Sequence, residues 1–227
     1  IFPKYDDAEI IKVGNPGLRP QFTNSVELGY KTNLTKGYYY AAIYHRSTNG
    51  TITRIATQAP PSTLIYTVFQ NAGYSSNTGV EMVFQQNFSK AFSFNSNVNI
   101  YRNIINAFTV ENKYPVLSIY TAGKEAITAG NVQLNGIFHL PKKTYIQLTA
   151  IYLAPDIIPQ GRIDTRFSVD MGIKKQIQKD KGELFFNASD IFNTLRIKKT
   201  VTGNGFTLAS TDYYETQVIR LGYSYKF

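Results

Sequence analysis

The sequence predicts an all-β fold of antiparallel, up-and-down transmembrane β-barrel strands, about nine of them. Three observations point there: apolar alternation with a period of two in run after run, a strict alternation of short with long connections, and a C-terminal strand with one aromatic face. In that last run Ile219, Leu221, Tyr223, Tyr225 and Phe227 fall on one parity, and Val218, Arg220, Gly222, Ser224 and Lys226 on the other. An apolar face outward and a polar or small one inward, closing on a terminal aromatic, is what the last strand of an outer-membrane barrel requires.

Composition fits strands better than helices. The 227 residues include 17 Tyr and 15 Phe, two His, no Trp and no Cys, with a net charge of +9. A hydrophobic share of 43% and a mean hydropathy of -0.23 would suit an ordinary soluble protein and decide little. Aromatics at this density suit strands and membrane interfaces. No stretch reaches the roughly 18 consecutive apolar residues of a spanning helix. A barrel strand passes that test unseen, because it needs only about 9 to 11 residues, half of them apolar. The absence of Cys removes disulfides and thiolate metal sites.

In chain order, alternation marks strands at residues 22–33, 38–48, 73–87, 91–103, 128–140, 144–153, 164–177, 183–192 and 213–227. Tight turns separate four pairs of them, at residues 34–37, 87–90, 141–143 and 179–182. The other four connections, at 49–72, 104–127, 154–163 and 193–212, are long. In a transmembrane barrel the short turns are periplasmic and the long loops extracellular, so the alternation states a topology. Residues 1–21 then form an extracellular loop segment leading into the barrel strands of 22–227. Nine strands ending at the periplasm are an odd number, whereas complete bacterial barrels are even. That arithmetic predicts the C-terminal part of a larger barrel, or else a strand missed within residues 1–13 or a single strand split wrongly in two.

Parity sorts the side chains. Phe92, Phe94, Val98 and Ile100 alternate with Ser93, Asn95, Asn97 and Asn99, and Phe167, Val169, Met171 and Ile173 with Ser168, Asp170, Gly172 and Lys174. One face suits lipid and the other water, although the buried and wet faces of a soluble antiparallel sheet alternate in the same way. The segment from Tyr38 to Tyr44 is aromatic on both parities and has no orientation by pattern. Aromatics near the short turns and the C-terminus, namely Tyr38 to Tyr40, Phe88, Phe92, Phe138, Tyr145, Phe185, Phe186, Tyr223, Tyr225 and Phe227, predict one girdle at the periplasmic interface.

Candidate lumen-lining residues on the polar parity are Glu27, Glu81, Asn97, Gln133, Asn135, Asp170, Lys174 and Arg220, with Lys31, Asn95, Asn99, Gln147, Asn187 and Lys226 beside them. Ile219, Leu221, Tyr223, Tyr225 and Phe227 are the lipid-facing candidates and carry the signal that the barrel-assembly machinery reads. In the long loops Gln160 and Arg162 are placed to meet ligand or lipopolysaccharide phosphate. Arg196, Lys198 and Lys199 form a basic group for an anionic ligand or the same phosphates. Lys36, Lys90, Lys142, Lys143, Lys179 and Lys181 cluster at the short turns, where anionic phospholipid is the natural neighbour. Two further segments look structural: Gly14-Asn-Pro-Gly-Leu-Arg-Pro20, with Gly17 available for positive φ, and Ser189-Asp-Ile-Phe-Asn-Thr194, where Asp190 and Asn193 suit Asx-type caps.

Enzymatic chemistry finds no support. His45 and His139 are isolated, and no nucleophile elbow, phosphate loop, paired-histidine motif or carboxylate cluster is present. No catalytic residue, cofactor or metal site is assigned. The positive charge lies at both ends of the strands instead of one basic face, so nucleic acid is not an expected partner.

Several pieces, in this order, resemble the outer-membrane β-barrel of Bacteroidetes TonB-dependent receptors, in particular the group similar to SusC-like and ferric-siderophore receptors. They are Gly14-Asn-Pro-Gly-Leu-Arg-Pro20 leading into Ser25-Val-Glu-Leu-Gly-Tyr30, Asn71-Ala-Gly-Tyr with Thr78-Gly-Val-Glu81, and Gly130-Asn-Val-Gln-Leu-Asn-Gly136. Gln160-Gly-Arg162, Ser189-Asp-Ile-Phe-Asn-Thr194 and the terminal Phe227 complete the set. The resemblance implies a barrel of about 22 strands around an N-terminal plug, coupled to TonB and importing a scarce nutrient such as a ferric chelate, a cofactor or a glycan. Outer-membrane lipid, lipopolysaccharide, the plug, TonB, the assembly machinery and a surface lipoprotein are the partners it suggests. A small complete outer-membrane barrel with a structural or adhesive role and a soluble lipocalin-type binder are the competing expectations.

Overall fold

The computed structural model describes Lys4–Tyr5 and residues 10–227; residues 1–3 and 6–9 of the expected lead segment lie outside the described residues. Nine strands form one antiparallel meander: β1 (Phe22–Leu34), β2 (Gly37–Asn49), β3 (Tyr74–Asn87), β4 (Phe92–Ile105), β5 (Glu125–Leu140), β6 (Thr144–Leu153), β7 (Arg166–Ile177), β8 (Gly182–Ser189) and β9 (Val218–Tyr225). Each pairs with its neighbours in sequence. All nine runs found by alternation are strands of this sheet, and the largest boundary error is at β9, which starts at Val218 instead of 213. The sheet is open. β1 and β9 each have one hydrogen-bonded neighbour, so these nine strands do not close a barrel by themselves.

Register carries the two-faced pattern across the sheet. Leu221, Phe186, Ile173, Ile146, Phe138 and Phe92 lie opposite one another from β9 to β4 and make one continuous apolar row. Three residues along and on the opposite parity, Asp170, Thr149, Asn135, Asn95 and Gln85 make an equally continuous polar row. A slip of one residue in any pair would exchange the faces, so each row fixes its neighbour.

The tight turns all lie at one end. Lys142 and Lys143, between β5 and β6, take φ of 59° and 55°, and Gln178, Lys179 and Asp180, between β7 and β8, take 53°, 54° and 74°. Left-handed residues match the right-handed twist of the flanking strands, at roughly 1–2 kcal/mol for each non-glycine residue. The Lys143 ammonium pairs with the Asp180 carboxylate and ties the two turns together.

At the opposite end the expectation of long loops needs correction: much of each forms strands. Residues 49–72 hold the strands Ile52–Gln58 and Ile65–Asn71, and 104–127 hold Phe108–Asn112 and Ser118–Ala122. Asp156–Ile158, Gly161–Ile163, Ile197–Gly203 and Phe206–Asp212 form a second four-stranded sheet. Ile10–Val13 does form a strand within the lead segment, but it runs parallel to Ile65–Asn71 in this layer and not in the large sheet. These strands are three to seven residues long, too short to show a period, and apolar contact between them stabilises the layer. Ile55, Ala72, Ile105, Phe108, Val110 and Ile157 form a buried cluster there, with Ile55 at 0% exposure.

Candidate functional site

The polar face of the large sheet carries a hydrogen-bonded side-chain lattice. Tyr40 donates to Glu27 at 2.6 Å, and Arg46 lies 3.9 Å from the same carboxylate. Tyr44 donates to Asn99 at 2.9 Å, and Asn97 to Glu81 at 3.3 Å. Gln147 and Thr149 both donate to Asn135 at 3.0 Å, and Lys174 pairs with Glu183 at 2.6 Å. Register puts Gln133 beside Asn97, and Arg220 beside Asn187, on this face. Thus Glu27, Glu81, Asn97, Gln133, Asn135, Asp170, Lys174 and Arg220 all share one side of the sheet. Near its long-loop end this face holds a depression of about 400 Å³ lined by Tyr44, Arg46, Asn77, Asn99, Tyr101 and Asn103 among others.

Among the described residues, no protein layer lies against the apolar face. Leu28 is 73% exposed, Ile43 58%, Ile100 50% and Leu221 79%. A soluble sheet would bury this surface, since leaving one such side chain in water forfeits about 1.5–3 kcal/mol. Toward the tight turns Phe84, Phe88, Phe92, Phe94 and Phe138 form a connected aromatic patch, with Phe92 and Phe138 stacked at 4.8 Å. The expected girdle is therefore smaller than alternation alone suggested. Tyr38, Tyr40, Tyr145 and Phe185 are on the polar face, where Lys31 sits over the Tyr38 ring and His139 meets Tyr145 edge to face. Phe185 lies over Gly222, where a Cβ would come within 2.0 Å of its ring.

The long-loop layer is pinned to the sheet and to itself. Gln160, 4% exposed, accepts from the Ala56 N–H at 2.6 Å and donates to the Ala56 carbonyl at 3.0 Å. Both of its amide groups are thus engaged, which turns it from a solvent-facing loop candidate into a clamp between two long loops. Asp156 accepts from Tyr101 and Asn103, each at 2.8 Å, so its hairpin folds over the polar face. Arg162 stays exposed beside it. Lys199 pairs with Asp212 at 2.7 Å, while Arg196, which stacks over Tyr213, and Lys198 line one cleft with Asp164 and Thr194.

Where β8 ends, Asp190 is the cap expected from sequence, and more. Its carboxylate accepts from the N–H groups of Thr194 and Leu195 and from the Thr216 hydroxyl at 2.7 Å. Burial pushes this carboxyl up, but those hydrogen bonds outweigh it and hold it below the ordinary aspartate value. Asn193 does not cap: its side-chain oxygen is buried with no partner. At the other segment, Asn15 bonds the Gly17 N–H and the Phe69 carbonyl, and Gly17 is not among the positive-φ residues. Among the described residues no group of three or more His, Cys, Asp or Glu is arranged to hold a metal.

A family model described as the outer membrane protein beta-barrel family matches residues 1–225. Comparison with curated proteins gives no match. Among solved structures, the FrpB iron transporter from Neisseria meningitidis (F3-3 variant) is similar over 96% of this chain, with a TM-score of 0.51 and 15% identity. The chain spans 33% of the length of that transporter, and at this identity the likeness concerns the fold alone.

Proposed function

Because the chain belongs to the outer membrane protein beta-barrel family, we propose that its nine-stranded sheet is a sector of the wall of a larger, TonB-dependent import barrel. Its place is the bacterial outer membrane. The observation that carries the reading is the pairing of an uncovered apolar face with a hydrogen-bonded polar one: lipid meets the first, and a hydrated lumen the second.

The dimensions agree. From the Phe92 girdle to Arg102, where polar side chains reappear on the apolar face, β4 rises about 33 Å, and a strand tilt of about 40° leaves about 25 Å along the membrane normal. That is the height of an outer-membrane barrel's apolar band. The tight turns then face the periplasm and the folded long-loop layer faces outward. Glu27, Glu81, Asn97, Gln133, Asn135, Asp170, Lys174 and Arg220 line the lumen, and the Asp156 hairpin overhangs its mouth above the 400 Å³ depression. The wall performs no reaction; it encloses a path and presents the outer layer to the nutrient. That the nutrient is a ferric chelate, cofactor or glycan, and that a plug fills the lumen, belongs to this proposal.

The test is uptake by cells with and without the full-length protein, fed labelled ferric chelates, cobalamin or oligosaccharides, before and after an uncoupler. Uptake that needs both the protein and the proton gradient supports import. Growth and uptake unchanged by deletion, with loss of surface adhesion instead, would make it a structural or adhesive barrel.

A further inference from the structure

Toward the long-loop end the apolar face gives way to a polar row. Register places His45, Thr78, Arg102 and Thr128 opposite one another on β2 to β5, with Val26 ending the row on β1. Arg102 donates to Thr128 at 3.2 Å, and the His45 ring nitrogen lies 2.7 Å from the Thr78 hydroxyl. Arg102 and His45 are exposed, and the residues that register sets around Arg102 on this face include no acid. One step toward the tight turns the row becomes Leu28, Ile43, Val80 and Ile100. These apolar side chains and the polar row line one groove of about 610 Å³, within the range of small-molecule sites.

We infer that this groove holds a phosphorylated acyl lipid of the outer leaflet, of the lipid A class. An acyl chain lies along Leu28, Ile43, Val80 and Ile100, while a phosphate meets the Arg102 guanidinium with His45 and the two threonines as further hydrogen-bonding groups. Two features select this occupant over bulk lipid: Arg102 has no carboxylate on its face, and its depth matches the headgroup level at the outward end, where lipid phosphates lie. Arg also recognises phosphate by two parallel hydrogen bonds.

The inference rests on the lipid-facing reading of this face, and its test separates the two. Full-length wild type, Arg102→Ala and Ile100→Trp are purified in neutral detergent and titrated by native mass spectrometry with lipid A, fully dephosphorylated lipid A and phosphatidylethanolamine. Outer-membrane insertion, read as heat-modifiable mobility, is scored for each. Wild type is expected to bind lipid A about tenfold more tightly than the dephosphorylated form. Arg102→Ala abolishes that preference, and Ile100→Trp, by filling the groove, weakens both forms. Equal lipid A binding by wild type and Arg102→Ala overturns the site, as does equal affinity for all three lipids. Failure of wild type to insert would instead overturn the lipid-facing reading beneath it.

Discussion

An arginine introduced at Leu134 separates the two faces of the sheet. Leu134 lies on β5 between Phe138 and Thr128, about 14 Å along the strand from the first and about 20 Å from the second. At a tilt of about 40° both distances leave it about 10 Å or more from either interface. Its register neighbours are Ser96 and Ala150, neither of which can pair a guanidinium. Arginine near mid-depth on a lipid face costs about 2–4 kcal/mol, equivalent to an unfolding constant raised roughly thirtyfold to several hundredfold. Gln133, one residue earlier, is exposed on the polar face, and Gln133→Arg should cost less than about 0.5 kcal/mol. The assay is urea unfolding in lipid vesicles, followed by loss of heat-modifiable mobility. In the full-length protein, Leu134→Trp and Gln133→Trp add an optical version, read as the emission gained over wild type: brominated lipid should quench that of the first and spare that of the second. Equal costs for the two arginines, or equal quenching of the two tryptophans, would falsify the face assignment.

Three further outcomes follow from the same contacts. Gln160→Ala leaves the Ala56 N–H and C=O buried without partners, at about 1–3 kcal/mol; amide exchange should quicken tenfold or more in 52–58 and 156–163 and stay unchanged in β5. Because its folded pKa is depressed, Asp190 contributes stability that is complete above the unfolded value near pH 4 and fades as pH falls through the folded one. Protease sensitivity of 191–217 should therefore rise in acid in wild type, whereas Asp190→Asn should be sensitive at neutral pH and respond less to acid. Gly222→Val drives a side chain into the Phe185 ring and should cost about 1–3 kcal/mol; adding Phe185→Ala should restore much of it, and no recovery would show that the ring contact is not the cause.

The sequence alone determined the nine long strands, the faces of most of them and the alternation of tight turns with long connections. A strand of eight or more residues in a two-faced sheet must write its environment into every second position, as β4 does from Phe92 to Ile100. Asp190 was legible too, because a carboxylate followed by a turn has few other uses. The tertiary structure decided what local pattern cannot encode. Periodicity is the same for a face against protein and a face against lipid; what distinguishes them is that no described residue forms a layer over Leu28, Ile43 and Leu221. Tyr38, Tyr40 and Phe185 took the polar face through the register of their strands, against the expectation from their chemistry. The outer layer escaped detection because it is made of three- to seven-residue strands held by contacts such as Gln160 to Ala56, 104 residues apart. The row of His45, Thr78, Arg102 and Thr128 exists only once four strands are in register, since along the chain its successive members are 24 to 33 residues apart and share no motif.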